Sequence, residues 1–286
     1  MAYSAEISRT NPSCFLFLID QSGSMQDPAP PAMGADAPAG GTRAKAQSVA
    51  DAVNRLLQNL VIKCAKSEGV RDYYQVGVIG YGAGVGPALG GPLAGRDLVP
   101  ISEIADSPAR VEERTRKVED GAGGLVDQTV KLPIWFDPVA NGGTPMCQAM
   151  RQAETLLGGW VQEHNLSFPP IVINITDGES TDGDPTEIAE RIKALRTSDG
   201  ACLLFTLHIS SQSAAPVQFP AAEATLPDQY ARLLFGLSSE LPDFMLSFAR
   251  DEGFAAAPGA RGFVFNSDMV TVIRFLDIGT RPSNLR

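Results

Sequence analysis

The chain has 286 residues, 44% of them apolar and 20% charged, which is ample material for a core and no sign of global disorder. Its 23 Lys plus Arg stand against 33 Asp plus Glu, a formal net charge of -10. That balance excludes a general binder of nucleic acid or of anionic membranes, because no surplus positive charge exists to displace phosphate counterions. The longest strongly apolar run, Cys14 to Ile19, falls far short of the roughly 20 residues that span a bilayer. The opening residues are polar and lack the apolar core of a signal peptide. The cysteines Cys14, Cys64, Cys147 and Cys202 are scattered and mostly sit in apolar segments. Reduced, buried thiols in a cytoplasmic protein are therefore expected.

Along the chain, short apolar runs alternate with helical periodicity. Cys14 to Ile19 predicts a central strand buried on both faces. A Pro/Gly/Ala-rich stretch from Pro28 to Gly41 predicts an exposed loop. Ala46, Val49, Ala50, Val53, Leu56, Leu57 and Leu60 then mark an amphipathic helix, with Lys63, Lys66 and Gly69 as stop signals. Tyr73 to Tyr81 predicts a second strand, and Asp97 to Val99 a short edge strand. Gly82 to Gly95 is left unassigned. Pro108 to Val118 is expected to be a charged, solvent-facing helix, with Ser107-Pro108 as cap and first turn.

Thr144-Pro145 opens a helix that carries Met146, Ala149, Met150, Ala153, Leu156, Leu157 and Trp160 on one face. Ile171 to Ile175 is a buried strand. Asp184-Pro-Thr-Glu187 resembles a capping box for a helix reaching about Arg196. A strand over Ala201 to Ile209 follows, then helices near Asp228–Phe235 and Ser239–Arg250. Gly262 to Phe265 is a last strand, and Met269, Val272, Ile273 and Leu276 mark a final helix. This rhythm predicts an α/β fold: a doubly wound, mostly parallel central sheet with helices on both faces, in a single domain.

Ligands of such a sheet collect beyond the C-terminal strand ends. Three loops leave helix or strand ends there with oxygen-bearing side chains: Asp20-Gln-Ser22-Gly-Ser24, Asn141-Gly-Gly-Thr144-Pro, and Thr176-Asp177-Gly-Glu179. Two carboxylates and three hydroxyls form a hard-oxygen set suited to Mg²⁺ or Mn²⁺ rather than zinc. Gly23, Gly142, Gly143 and Gly178 would permit the tight turns that let short side chains converge. An ion held mainly by the neutral hydroxyls of Ser22, Ser24 and Thr144 keeps much of its charge, with Asp20 and Asp177 orienting them. Such a site would bind acidic ligands.

Other features have plainer explanations. Glu179, Asp182 and Asp184 lack the offsets of an EF-hand and are expected to cap helices or sit in solvent. Gly80 to Gly91 contains neither G-x-G-x-x-G nor G-K-[ST], so a loop is expected rather than a phosphate cradle. His208 is expected in the core, His164 exposed near a helix end, and Cys147 buried as a small hydrophobe.

D-x-S-x-S after an apolar strand, a distant Thr in a glycine-rich loop, and Asp-Gly after a later apolar strand resemble the von Willebrand factor A (vWA) domain. In that family these residues form the metal-ion-dependent adhesion site, and the match falls on Asp20, Ser22, Ser24, Thr144 and Asp177. The resemblance implies a vWA domain over residues 11–280, with insertions near 28–41 and 82–141 and tails at 1–10 and 281–286. It implies a non-enzymatic module holding Mg²⁺ (Mn²⁺ or Ca²⁺ as alternatives) that receives an Asp or Glu from another protein. It also implies coupling of ligand binding to a shift of the last helix. Among relatives the chain is similar to bacterial cytosolic stand-alone members of tellurite-resistance or stress systems, which act beside kinases, phosphatases or ATPases. A Mg²⁺-dependent phosphatase or hydrolase on a similar sheet is the alternative. Against it, the site loops supply no His or Lys, Asp20 lacks an Asp two residues later, and Ser22 has no G-x-S-x-G elbow.

Overall fold

Strand β1, Ser13–Asp20, is buried along its whole length, as the run of alternating Phe and Leu side chains requires of a strand covered on both faces. The computed structural model describes residues 3–30, 43–119, 125–211 and 214–267, together with Thr271 and Arg274. After β1 come α1 (Lys45–Cys64), β2 (Tyr74–Tyr81), β3 (Val85–Pro87), β4 (Val99–Pro100) and α2 (Ile101–Asp106). A hairpin of β5 (Arg110–Glu119) and β6 (Leu125–Ile134) follows, then α3 (Met146–Glu163), β7 (Ile171–Thr176) and α4 (Thr186–Ala194). The remainder holds β8 (Leu203–His208), β9 (Val217–Gln218), α5 (Gln229–Leu237), α6 (Asp243–Asp251) and β10 (Phe263–Phe265). The expected final helix around Met269 lies outside the described residues except for Thr271 and Arg274, as do positions 31–41 of the expected Pro-rich loop.

The central sheet runs in the order β9-β10-β8-β7-β1-β2-β3, with β4 also on β2. Its five inner strands are parallel, and β3, β4 and β9 pair antiparallel at the edges. From β1 the chain steps outward to β2 and later returns to lay β7 on the opposite side. The direction of winding therefore reverses between β1 and β7. Alternation of side chains along β1 divides the core in two. Phe15, Phe17 and Ile19 pack with α1, α2 and α6, while Cys14, Leu16 and Leu18 pack with α3, α4 and α5. The fold is thus mixed α/β with a mostly parallel central sheet. Among the described residues no helix is long and apolar enough to cross a membrane.

The segment expected as a charged helix over Pro108 to Val118 is instead β5, paired antiparallel with β6 from Arg110↔Ile134 to Glu119↔Leu125. The physical reason lies in the partner strand. Val130, Leu132 and Ile134 alternate with period two, and Leu132 and Ile134 are buried. Charged residues on β5 then read as the solvated strand of a two-stranded arm. The arm is held to α1 by Arg114, whose guanidinium pairs with the buried Asp51 at 2.8 Å. Just past it, the Asn54 side chain of α1 accepts from Trp135 N–H (2.8 Å) and Phe136 N–H (3.0 Å), and donates to the carbonyls of Ala50 and Phe136. Helix α2 and the short β3 also lie where no element was expected.

Asn54→Ala would strand two buried N–H groups at once. It is expected to lower unfolding stability by about 3 kcal/mol, measured by urea denaturation, while surface Lys66→Ala should leave the midpoint unchanged.

Candidate functional site

At the C-terminal end of β1 the chain must leave a dry environment carrying a carboxylate. Asp20 is buried, and burial raises its carboxyl above the usual carboxylate range; donors from Ser22 and Thr176 pull it back, and the nearby Asp177 charge adds to the rise. Its two oxygens are met from different loops: Ser22 N–H donates to Oδ1 at 2.8 Å and Thr176 Oγ1 donates to Oδ2 at 2.7 Å. The chain then forms a short 3-10 turn, Gly23–Gln26, which brings Ser22 Oγ within 3.0 Å of Ser24 Oγ. Ser24 Oγ in turn donates to Asp177 Oδ1 at 2.9 Å. Asp20, Ser22, Ser24 and Asp177 therefore form one connected set. Ser22 is buried whereas Ser24 is exposed, so the set opens outward at Ser24.

Thr144 reaches the same place through its backbone. The loop before it is tied to the first motif by Gly23 N–H to the Gly142 carbonyl (3.0 Å) and by Asn141 N–H to the Gln21 carbonyl (2.6 Å). It is tied to the third by Thr144 N–H to Thr181 Oγ1 and by Thr181 N–H to the Thr144 carbonyl, both 2.9 Å. All five expected side chains thus belong to loops that are hydrogen-bonded to one another. The glycines are less uniform than expected. Gly142 has φ +84° and a Cβ there would meet Ala83 N at 2.5 Å, but a Cβ on Gly178 would meet open space and one on Gly23 only the Gly142 carbonyl at 3.6 Å. Gly82, which the motifs do not include, is needed more: a Cβ there would press on the carbonyls of Asn141 and Gln21, both at 2.6 Å.

Two basic residues absent from the motif loops are also here. Lys45, the first residue of α1, is 1% exposed and its Nζ donates to Asp177 Oδ2 at 2.9 Å and to Ser211 Oγ. His208, at the end of β8, is buried beside Thr176 in the sheet register. The motif loops themselves supply no Lys or His, as expected; α1 and β8 bring one of each to the cleft from outside them. Lys45 did leave a trace in the sequence: a cation at a helix N-terminus opposes the macrodipole and calls for a compensating partner.

Around the rim the acidic residues behave as expected. Asp182 accepts from Cys147 N–H (2.9 Å) and Gln148 N–H (2.8 Å) at the start of α3, Asp184 accepts from Thr186 N–H (2.9 Å), and Glu179 accepts from Tyr230 OH (2.8 Å). All four cysteines are buried and free, and burial raises each thiol, so none is poised as a nucleophile.

Among the described residues no three His, Cys, Asp or Glu side chains gather as a metal-binding group. The oxygens present are of another kind, two carboxylates with hydroxyls. Cis ligands of an octahedral ion bonded at ~2.0–2.1 Å lie about 3 Å apart. The Ser22–Ser24 and Ser24–Asp177 oxygen separations of 3.0 and 2.9 Å match that edge. These residues fit a small hard cation.

Burial pushes the His208 imidazole down to about 4. The folded protein therefore keeps it neutral, and protonation of the unfolded chain drains stability as pH falls below about 6.5, until the folded form also protonates near 4. In EDTA, wild-type unfolding free energy is expected to fall by up to about 3 kcal/mol through this window from His208 alone. His208→Gln should flatten that part of the curve, read by urea titrations at pH 7 and 4.5.

No family model matches the sequence, and no curated protein matches it. Among solved structures the fold is similar to proximal thread matrix protein 1 from the mussel byssus, at 14% identity and a TM-score of 0.46. That alignment covers 96% of this chain and 48% of the byssus protein, so the chain spans about half of that protein's length.

Proposed function

We propose that the chain is a doubly wound vWA domain whose metal-ion-dependent adhesion site, built from Asp20, Ser22, Ser24, Thr144 and Asp177, binds an acidic residue of a protein partner through Mg²⁺. The observation that carries the reading is the hydrogen-bonded chain that runs from Asp20 through the Ser22 N–H, and then through the Ser22 and Ser24 hydroxyls to Asp177, set where the sheet reverses its winding. When bound, the ion supplies an electropositive centre that attracts a carboxylate. The protein supplies everything that aims it. Asp20 is held by Ser22 N–H and Thr176 Oγ1 and cannot swing into solvent, so it fixes the first loop in the shape that turns both serine hydroxyls to one point. Asp177 takes Ser24 Oγ on one oxygen and the Lys45 ammonium on the other, which orients the hydroxyl and leaves the exposed side of Ser24 as the approach for a ligand. Neutral hydroxyls at the contact point leave the centre hungry for negative charge.

An interaction module is favoured over a phosphatase or hydrolase because the nearby base candidates are withdrawn. Lys45 is sealed among acceptors, and His208 is buried with an imidazole that resists protonation. A cytoplasmic place beside a kinase, phosphatase or ATPase of a bacterial stress system belongs to the same proposal, and the four free thiols are consistent with a reducing compartment.

Immobilised wild-type protein should capture the same partner repeatedly from a cell extract in millimolar Mg²⁺, lose it in EDTA, and fail to capture it as Asp20→Ala/Ser22→Ala. Recovery of identical proteins under all conditions would sink the ion-bridged mechanism. In a phosphatase and nucleotidase screen with Mg²⁺ no turnover is expected, and activity that vanishes in Asp20→Ala would favour the enzyme instead.

A further inference from the structure

The least expected group in the cleft is a buried ammonium. Lysine is almost never fully buried unless paired, and α1 offers it the wrong end of its dipole. The sequence nevertheless begins this 20-residue helix with Lys45 and the fold seals it. Two strands of backbone keep it there. Lys45 N–H donates to the Asp27 carbonyl (3.0 Å), Ala29 N–H donates to the Arg43 carbonyl (2.8 Å), and Pro28 and Ala44 form a bridge, so the start of α1 is pinned to the backbone of Asp27–Ala29. Nζ then has no route away from Asp177 and Ser211. The Asp27 carboxylate lies 3.8 Å from it, but that side chain is 55% exposed and its field is weakened by water.

We propose that Lys45 is a resident cation of the cleft: its ammonium neutralises Asp177 when no divalent ion is present, and competes with that ion for the carboxylate. This rests on the metal-site reading above and deepens it. The charge arithmetic shows the consequence. Asp20 and Asp177 alone would bring two negative charges, which a divalent ion would cancel. With Lys45 beside them the sum before binding is one negative charge, and after binding one positive. The lysine thus lowers affinity for the metal and raises the attraction of the loaded site for a partner's carboxylate. It also relieves the repulsion between two buried carboxylates that the metal-free protein would otherwise carry.

The test compares wild type, Lys45→Met, Lys45→Gln and Asp20→Ala, using Mn²⁺ as the probe ion. Mn²⁺ affinity is read by water-proton relaxation, and thermal midpoints are read in EDTA and in Mn²⁺. Lys45→Met and Lys45→Gln are expected to bind Mn²⁺ about tenfold more tightly than wild type. Their midpoints should lie below wild type in EDTA and recover when Mn²⁺ is added, because the ion replaces the lost ammonium. Lys45→Gln keeps an N–H donor without the charge, so it separates charge from hydrogen bonding. Wild-type binding that disappears in Asp20→Ala, with unchanged or weaker affinity in both Lys45 variants, would overturn the lysine's role while leaving the metal site intact. Variants that stay unfolded even in Mn²⁺ would also overturn it, since a competing cation must be replaceable by the ion. If none of the four proteins binds Mn²⁺, or Asp20→Ala binds as wild type does, the metal-site reading fails and this inference with it.

Discussion

A carboxylate leaving β1 has nowhere to find water, and the site follows from how that debt is settled. Asp20 sits at the end of a strand covered on both faces, so its two oxygens must be given donors by the protein. One donor is local, the N–H of Ser22; the other, Thr176, comes from the end of β7. The first pins the motif loop into a tight turn, and the second fastens that loop to the neighbouring parallel strand. From there the serine pair, two and four residues past Asp20, and Asp177, one residue past Thr176, are brought within hydrogen-bond reach of one another. The crevice between β1 and β7 is therefore a polar seam between two apolar layers.

The same seam explains why a lysine belongs in the interior. Two carboxylates at adjacent strand ends repel one another, and the rise of the Asp20 carboxyl includes that repulsion. An ammonium from the start of α1 offsets it at the cost of a poorly placed helix-terminal charge. Tying Asp27 to Lys45 through the backbone makes the offset structural, since the helix cannot retreat from the cleft without breaking those hydrogen bonds. The acidic rim, by contrast, serves helices: Asp182 and Asp184 are spent on the N-termini of α3 and α4.

Away from the seam, the β5–β6 arm is a separate two-stranded sheet, bonded within itself and fixed to α1 by Arg114–Asp51, while Asn54 of α1 holds the segment that follows the arm. Its strands are adjacent in sequence, so the arm needs little from the central sheet. The buried polar groups of α1 are what hold it, which is why a helix otherwise lined with Val and Leu carries Asp51 and Asn54 on a covered face.

The sequence by itself determined the inner strands, the helices α1, α3, α4, α5 and α6, and the three polar loops that meet at the ends of β1 and β7. Each rests on a local signal: unbroken apolar runs, 3–4 spacing, or short polar motifs at element ends. The end of β1 and the opening of α3 could be read to within a residue or two for the same reason. What only the tertiary structure decided involves partners far along the chain. The charged stretch after Pro108 is a strand because β6 pairs with it, and charge alone looks the same on a solvated helix and a solvated strand. Gly82 matters because two carbonyls from other loops crowd it. Lys45 and His208 reach the cleft because α1 begins and β8 ends there; a lysine at a helix start calls for a partner, but which carboxylate answers it, and which strand end faces His208, is set only once the sheet has closed.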